Sequence, residues 1–366
     1  MNQPLNLPPL TVKGRVEAVA AKLADIDVDA LVVTNLTNIR WCSGFTGSAG
    51  TLVISTDQAI LITDSRYAEQ APVQTQAAGG SIEVRINSQF VAAVAEAVGN
   101  ASVVALEADH VSWANQRRLD DSLSAALVDT SAIIAELRSV KDPAELARIE
   151  TAAKIVDAVL GECCGHFMRG VSELEIARML EDGMRLAGAN GPAYETIVAS
   201  GANSALPHKT PSPKRLFDGD LLVVDAGALV DGYRSDMTRT FMVGEPDERA
   251  LELYELVRKS QAAGVAAVRP GVAAGEIDKV CREVITEAGY GDAFTHSTGH
   301  GVGLNIHELP AIRRNNQAEL LAGQVITVEP GVYFSGYGGV RVEDTVVVNE
   351  DGSRPLTQFS KETSWQ

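Results

Sequence analysis

The sequence is poor in cysteine, in positive charge and in long apolar runs, and each shortage excludes a class of protein. Its four cysteines form no CxxC pair, so neither a disulfide framework nor a cysteine-rich zinc site is expected. Its 31 basic residues face 48 acidic ones, and the net charge of −17 argues against a nucleic acid or an anionic membrane as partner. No stretch reaches the run of about 18 apolar residues that a membrane span needs. The opening "MNQPLNLPPLTVKGR" also lacks the apolar segment of a signal peptide, so we expect a cytoplasmic protein.

What the sequence does contain is the composition of a globular protein of two domains. It has 366 residues, of which 45% are hydrophobic and 22% are charged. The first third alternates a helical pattern, "VKGRVEAVAAKLADI", with strand-like runs, "DALVVT" and "GTLVISTDQAILITD". A turn at Thr56-Asp57 divides the last of these runs into two strands. This alternation predicts an α/β domain.

A boundary between domains is expected where helical signals begin to dominate. Asp142, Pro143 and Glu145 have the spacing of a helix N-cap, a first-turn proline and a capping box. Ser172 and Glu175 repeat the capping signal for the next helix. Two further helices are predicted in "PDERALELYELVRKSQAAGVAAV" and "GEIDKVCREVITEAG". We therefore predict one domain over residues 1–137 and a second over 138–366.

Half of the six histidines lie in one short stretch, "HSTGHGVGLNIHE". They are His296, His300 and His307, and glycines alternate between them, which disfavours a helix and favours an extended segment with close backbone approach. Imidazole is the commonest metal ligand and the usual acid or base near neutral pH. From this stretch alone, three unrelated histidines are as good an interpretation as a site.

A pair of carboxylates is predicted on one face of a hairpin, in "DLLVVDAGALVDGYRSDMTRTFMV". Asp231-Gly232 between two β-rich runs is a strong hairpin signal. With these two residues as the turn, Asp225 faces Thr238, and Asp236 lies on the same face roughly 7–8 Å from Asp225. Two acids on an apolar face are costly unless a cation neutralises them. The alternative is a pair of surface acids beside a turn, which the apolar run around Asp225 disfavours.

A second pair of acids lies in "QVITVEPGVYFSGYGGVRVEDTVVV". Glu329 ends one strand-like run before the break at Pro330-Gly331, and Glu343 lies in the next run. Strand alternation points the neighbouring Asp344 to the opposite face. Four carboxylates and a histidine can hold two divalent ions about 3.5–4 Å apart. Oxygen and nitrogen ligands of this kind suit Mn²⁺, Co²⁺, Fe²⁺ or Zn²⁺.

The pattern resembles the pita-bread metallopeptidases, in the branch of aminopeptidase P and prolidase. The resemblance covers nearly the whole chain and rests on "DAGALVDGYRSD", "HGVGLNIHE", "TVEPGVY", "GVRVED" and "VASGANSALPH". It implies an α+β protein in which an α/β creatinase-like domain, marked by "SGFTGSAGTLVIS" and "TDSRY", precedes a pita-bread metallopeptidase domain. In chain order, the implied metal ligands are Asp225, Asp236, His300, Glu329 and Glu343.

The same resemblance implies roles for further side chains. His208 and His307 match the pair that contacts the scissile peptide and its tetrahedral intermediate, and His296 matches another active-site histidine. Glu329 is the candidate for carrying a proton from the attacking water to the leaving nitrogen. Arg341 orients a carboxylate or holds its loop, unless it is an ordinary arginine on a strand surface. The remaining two histidines, His110 and His166, are read as structural or surface residues.

The function that the resemblance implies is an Xaa-Pro aminopeptidase with two divalent ions, Mn²⁺ being favoured, that acts on short peptides with proline second. An Xaa-Pro dipeptidase (prolidase) is the alternative, and homodimers are usual in the family. Strict prolidases carry an arginine after the HExP motif, where "HELPAIRRNN" has Ala311 and the nearest arginine, Arg313, lies two residues along. More remote alternatives are a metal-free creatinase-like hydrolase and a non-catalytic binding module on the same fold.

Overall fold

The computed structural model describes residues 5–130 and 132–362. The chain folds into two compact units, one being Pro8–Arg138 and the other combining residues 5–7 with 139–362. Buried aliphatic side chains form a core in each unit. Within the described residues, no helix is both long and apolar enough to pass through a membrane.

The first unit combines a mixed sheet with helices, which is the α/β arrangement that the alternating pattern predicted. Its described strands are β1 (Ala30–Val33), β2 (Thr51–Ser55), β3 (Ala59–Thr63), β4 (Glu83–Ile86), β5 (Val103–Leu106) and β6 (Ala126–Asp129). They lie in the order β4-β3-β2-β1-β5-β6. β2 and β3 form the predicted hairpin, and β1 pairs antiparallel with β2 but parallel with β5. The helices are α1 (Arg15–Ala24), α2 (Leu36–Ser43), α3 (Gln70–Ala77), α4 (Phe90–Val98), α5 (Trp113–Ser122) and α6 (Ile133–Ser139).

The helices of the second unit begin where the capping signals predicted. They are α7 (Pro143–Cys163), α8 (Glu173–Leu186), α9 (Glu248–Ala267) and α10 (Ala274–Glu287). The Asp142 carboxylate accepts the backbone N–H of Glu145, whose own carboxylate accepts the N–H of Asp142. Ser172 and Glu175 make the same reciprocal pair at α8. Side chains that satisfy the exposed N–H groups in this way stabilise a helix start by about 1 kcal/mol.

Short strands make up the sheets of the second unit. They are β7 (Gly191–Pro192), β8 (Ile197–Ser200), β9 (Leu221–Asp225), β10 (Ala228–Val230), β11 (Tyr233–Arg234), β12 (Thr238–Met242), β13 (Gly299–Gly301), β14 (Glu308–Ile312), β15 (Val325–Val328), β16 (Gly331–Phe334), β17 (Gly338–Arg341), β18 (Asp344–Asn349) and β19 (Gly352–Pro355). In the described part of the chain they pair in the orders β11-β10-β7, β12-β9-β8, β14-β13-β15-β18-β19 and β16-β17. The unit therefore combines antiparallel sheets with helices, which is an α+β architecture.

The hairpin of β10 and β11 has the predicted turn. Asp231 and Gly232 both have positive φ angles, 44° and 78°, as a two-residue type I′ turn requires. Val230 pairs with Tyr233, and the same register continues past a break to β9 and β12, where Asp225 pairs with Thr238. The prediction that Asp225 faces Thr238 is confirmed. A one-residue change in the turn would move one of the two acids to the other face.

Candidate metal centre

The first hairpin brings Asp225 and Asp236 together in the interior. Their exposed fractions are 9% and 5%, so neither is a surface acid beside a turn. The hydroxyl oxygen of Tyr194 lies 2.5 Å from an Oδ1 atom of each aspartate. A phenol carries one proton and can donate it to one of these oxygens at a time. The second oxygen therefore needs another positive partner.

The second pair of acids sits at a seam between two antiparallel ladders. Val328 pairs with Asp344 on one side of the seam, and Gly331 pairs with Arg341 on the other, in one continuous register. Glu329 and Glu343 thus occupy facing positions. At this point each strand forms a hydrogen bond with a different segment. Glu329 donates its backbone N–H to the carbonyl of Thr298, and Glu343 donates its N–H to the carbonyl of Thr238.

This seam joins the segments that carry the candidate ligands. Thr298 lies two residues before His300, and Thr238 is the strand partner of Asp225. Ligand oxygens of Asp225, Asp236 and Glu343 all lie within 4.8 Å of one another, a spacing at which they could hold a metal ion. The separation of the two strands at the seam therefore brings carboxylates from both hairpins together at one candidate metal site.

His300 faces the same carboxylates through its Nε2 atom. Nε2 lies 3.5 Å from Asp236 Oδ2 and 3.5 Å from Glu329 Oε1. The other ring nitrogen, Nδ1, donates to the carbonyl of Gly301 at 2.9 Å, because a carbonyl oxygen can only accept. This bond places the proton on Nδ1 and leaves the Nε2 lone pair directed at the acids, as metal-binding histidines require.

Glycines allow the histidine segment to approach its neighbours closely, as predicted. A Cβ atom on Gly299 would lie 2.1 Å from the carbonyl oxygen of Thr327, and one on Gly301 would lie 2.1 Å from that of Leu309. β13 runs between β14 and β15, so each of these contacts is with a paired strand. Any larger residue at either position would push His300 away from the carboxylates.

The electrostatics of the cluster show acids without enough positive charge. Burial, followed by repulsion from Asp225, raises the pKa of Asp236 well above its ordinary value. Burial and repulsion from Asp236 also raise the pKa of Glu343, and burial raises the pKa of Glu329 to about 8. Burial lowers the pKa of His300 to about 4, which keeps the ring neutral. These shifts indicate that the cationic side chains of the protein do not neutralise the acids of this site.

One buried oxygen identifies the missing partner. Glu343 Oε1 has no hydrogen-bond partner, although its other oxygen accepts from the Thr238 hydroxyl at 2.7 Å. A buried carboxylate oxygen without a donor is costly, and a divalent cation is the partner that also relieves the repulsion among the acids. The residues present therefore fit divalent metal ions.

Arg341 is buried within the site and not on a strand surface. Its exposed fraction is 2%, and Nη2 lies 2.7 Å from Asp225 Oδ2. Nε donates to the Thr238 hydroxyl at 3.0 Å, and Nη1 donates to the Tyr333 hydroxyl at 2.9 Å. Arg341 therefore orients the Asp225 carboxylate and, through Thr238, the Glu343 carboxylate.

The remaining histidines divide into two groups. His208 and His307 are exposed at the rim of the cavity over the acids, and the His307 ring packs edge-on against His300 with ring centres 4.3 Å apart. His296 is not among the residues that line this cavity; its Nε2 atom lies 2.9 Å from the Tyr333 hydroxyl. His296 thus reaches the acids through Tyr333 and Arg341.

The cavity has a volume of about 260 Å³ and an acidic floor. Neither lysine nor arginine is found among its lining residues, which are Tyr194, Glu195, Ile197, His208, Thr210, Asp225, Asp236, His300, Ile306, His307, Glu329 and Glu343.

Tyr194 and Tyr333 are site residues that the sequence did not predict. Tyr194 lies in no periodic pattern and beside no other candidate, so the sequence held no local signal for it. Tyr333 ends the segment "TVEPGVY", four residues after Glu329, and this position is the signal that could have indicated it. His110 and His166 are exposed residues.

Comparison with known proteins gives matches over both units. Residues 147–350 match the model of metallopeptidase family M24, and residues 15–140 match that of the creatinase/prolidase N-terminal domain. An uncharacterized peptidase of Bacillus subtilis, YqhT, is 39% identical over 95% of this chain and 99% of its own length. The structure of an Xaa-Pro dipeptidase from Bacillus anthracis superposes with a TM-score of 0.92 at 36% identity, covering 96% of this chain and 99% of that one. An X-Pro aminopeptidase from Thermotoga maritima gives a TM-score of 0.86 at 36% identity, covering 95% and 98%.

Proposed function

The chain belongs to metallopeptidase family M24, and from this premise we propose that it hydrolyses the Xaa-Pro bond at the N-terminus of peptides. The observation that carries the proposal is the group of three buried acids, Asp225, Asp236 and Glu343, which lies with the partly buried Glu329 and His300. The Oε1 atom of Glu343 in this group has no hydrogen-bond partner. Proline specificity is supported by the resemblance to Xaa-Pro peptidases of both kinds. We assign catalysis to residues 138–366 and the creatinase-like domain to the residues before them, apart from residues 5–7, which belong to the same compact unit as residues 139–362.

Two divalent ions would be held by Asp225, Asp236, His300, Glu329 and Glu343. When bound, such a pair supplies an activated water at neutral pH and polarises a carbonyl oxygen. We propose Mn²⁺ because carboxylates make up most of the ligand set, with Co²⁺, Zn²⁺ and Fe²⁺ as the other candidates. The four carboxylates would carry four negative charges against the four positive charges of two divalent ions, so that the ions would neutralise the acids.

The chain's own side chains would move the proton and stabilise the developing charge. Glu329, which faces the cavity, accepts a proton from the attacking water and passes it to the leaving nitrogen. His307 and His208, at the rim, donate hydrogen bonds to the carbonyl oxygen as it becomes negative. Tyr194 and Arg341 hold the two aspartates in place throughout.

Metal dependence is the first test of this proposal. Asp236→Ala should remove both metal and activity, because it deletes a carboxylate at the centre of the cluster. Glu350→Ala is the matched control, since Glu350 is an exposed acid in the turn after β18. Metal content by mass spectrometry and hydrolysis of an Xaa-Pro-Yaa peptide are the measurements. Full activity in a chelated, metal-free sample would refute the metallopeptidase mechanism and leave a metal-free hydrolase.

The cavity favours an aminopeptidase over a dipeptidase. A dipeptide presents a free carboxylate immediately after proline, and a dipeptidase needs a cation to hold it. The cavity is lined by neither lysine nor arginine, and Arg313 and Arg314 are exposed residues that follow β14. We therefore propose that tripeptides and longer Xaa-Pro peptides are better substrates than Xaa-Pro dipeptides.

A dipeptidase is the second candidate because the Bacillus anthracis Xaa-Pro dipeptidase covers nearly the whole chain with a TM-score of 0.92. The deciding measurement is kcat/KM for one Xaa-Pro dipeptide and for the matching Xaa-Pro-Yaa tripeptide. A clear dipeptide preference that Arg313→Ala removes and Arg314→Ala preserves would establish the dipeptidase. Cleavage of Xaa-Ala but not of Xaa-Pro would contradict the proline assignment itself.

We also propose that the protein is cytoplasmic, because its four cysteines suit a reducing compartment, and that it forms a homodimer, as the resemblance to its family implies. A binding module without catalytic activity is the remaining alternative. Sedimentation velocity tests the dimer, and a metal-loaded protein inactive on every Xaa-Pro peptide of a broad panel would favour the binding module.

A further inference from the structure

A second cavity, of about 390 Å³, lies within the first unit. Its volume is in the range of small-molecule pockets, roughly 300–1,000 Å³. Val32, Val94 and Leu119 form buried apolar walls that belong to the core of the unit, and Phe90 and Val91 continue them toward the surface. Neither aspartate nor glutamate is among the residues that line it. The interior of this cavity is therefore suited to a hydrocarbon group.

The cavity lies at the point of the sheet where ligands bind in open α/β folds. β1 and β5 are parallel neighbours, and the chain leaves β1 toward β2 on one side and β5 toward β6 on the other. Connections that diverge in this way leave a crevice beyond the carboxyl ends of the two strands. Thr34, which follows β1, and His110, which follows β5, both line the cavity, and their side chains meet at 3.1 Å.

Glu107 occupies the position at the end of β1 where a phosphate would bind. This buried glutamate follows β5, and its carboxylate accepts the backbone N–H groups of Thr34 at 2.7 Å and Asn35 at 2.8 Å. Those are the N–H groups at the end of β1 that a phosphate would need. A nucleotide would meet a carboxylate in their place.

A positive group remains at the opening. Arg118 lines the cavity from α5, is exposed, and forms no ion pair with any residue that the structure describes. The same helix begins at the cavity, where Ser112 caps it by accepting the N–H of Asn115 at 3.2 Å. In a protein with a net charge of −17, an unpaired arginine over an apolar cavity is a selective feature for an anion.

We propose that this cavity binds a small organic carboxylate with a branched or aromatic hydrocarbon body and no ammonium group. The hydrocarbon body fills the apolar interior, and the carboxylate pairs with Arg118 at the opening. A free amino acid fits less well because its ammonium group would find no acidic partner among the lining residues. The proposal does not depend on the peptidase function.

Calorimetric titration of the full-length, metal-loaded protein with 3-phenylpropanoate tests the proposal. We expect saturable binding of 3-phenylpropanoate. Binding should be at least about tenfold weaker for 3-phenylpropanamide, which lacks the charged carboxylate, and for phenylalanine, whose added ammonium group has no acidic partner among the lining residues. Arg118→Ala should weaken binding about tenfold, whereas Arg117→Ala, a change at the preceding exposed arginine that does not line the cavity, should have no effect. Val91→Trp should abolish binding by filling the cavity.

Peptidase activity and thermal stability verify that these variants fold, and all three should match the parent protein. Asp236→Ala distinguishes binding in the cavity from binding at the metal centre. If 3-phenylpropanoate bound to the metal ions, its binding would be lost in this variant, whereas binding in the cavity would be retained. Absence of binding, equal effects of Arg118→Ala and Arg117→Ala, or loss of binding in Asp236→Ala would each overturn the proposal.

Discussion

Glu343 and Asp344 are adjacent in the chain and equally buried, yet they lie in opposite electrostatic environments. Their exposed fractions are both 1%. Burial and the neighbouring Asp236 raise the pKa of Glu343. Burial also acts on Asp344, but the guanidinium of Arg239 and the ammonium of Lys361 outweigh it and lower the pKa of this carboxyl. Strand alternation sends the two side chains to opposite faces, as the sequence predicted.

The difference shows that burial alone does not identify a functional acid. Glu173 is also fully buried, and hydrogen bonds from Ser212, Asn203 and Ser200 more than offset the effect of burial and lower its pKa. Asp344 and Glu173 are satisfied by protein donors and have structural roles. Glu343 has one oxygen without any donor, and it is the acid whose partner must come from outside the chain.

The largest effect is expected when this contrast is tested at Glu343. Glu343→Gln keeps the shape of the side chain but removes the charge, so metal content should fall and activity should decrease about 10³-fold or more, equivalent to about 4 kcal/mol. The metal-free protein should be no less stable than the metal-free parent, because the change removes a repelled buried charge. Metal analysis, kcat/KM and thermal unfolding are the measurements. A variant that retains both metals would contradict the assignment of Glu343 as a ligand.

Asp344→Asn should have the opposite outcome. Arg239 is fully buried, with its Nη2 atom 2.9 Å from Asp344 Oδ1, and loses its carboxylate in this variant. We expect a loss of about 3 kcal/mol in the free energy of unfolding, which is the usual cost of leaving a buried charge without its partner. Metal content per folded molecule should be unchanged. Denaturant unfolding followed by circular dichroism measures the loss, and a parallel loss of metal without destabilisation would mean that Asp344 belongs to the site.

A smaller effect is expected from pH on the metal-free protein. The pKa of Glu329 is raised from 4.5 to about 8 by burial, so the folded state binds more protons than the unfolded state between these values. The stability of the metal-free protein should therefore be greatest at low pH in this window and should fall by a few degrees in Tm as pH rises from 5 to 8. Added Mn²⁺ should remove this decline. A metal-free Tm that rises over the same range would show that the acids are already neutralised by protein groups.

Sequence reasoning succeeded where local rules determine the geometry. The Asp231-Gly232 turn determined the register that places Asp225 opposite Thr238, and alternation separated Glu343 from Asp344. Capping residues located the starts of α7 and α8. These features depend on residues within a few positions of one another. The grouping of the two hairpins with His300 came from resemblance to a family, since no local rule brings distant strands together.

What the sequence could not supply were contacts made by tertiary packing. Tyr194 lies 31 positions before Asp225, and nothing in its neighbourhood marks it as the donor shared by two aspartates. The sequence does not determine whether the Arg341 side chain points into the site or to the strand surface, and only its burial in the structure does so. The cavity of the first unit combines Thr34, His110 and Arg118 from three separate segments, whereas the sequence predicts only a structural or surface role for His110.

The seam at Glu329 and Glu343 also bears on how chains of this kind can vary in length. β16 and β17 extend the ladder of β15 and β18 in one register and end in the short turn between Phe334 and Gly338. Residues added to that turn lengthen a loop and leave the facing acids in place. A single residue added to one strand, between the turn and the seam, would move a glutamate to the opposite face. Insertion and deletion during evolution are therefore expected to accumulate in the turn, and aligned sequences of M24 members should show gaps there but none in the strands leading to the seam.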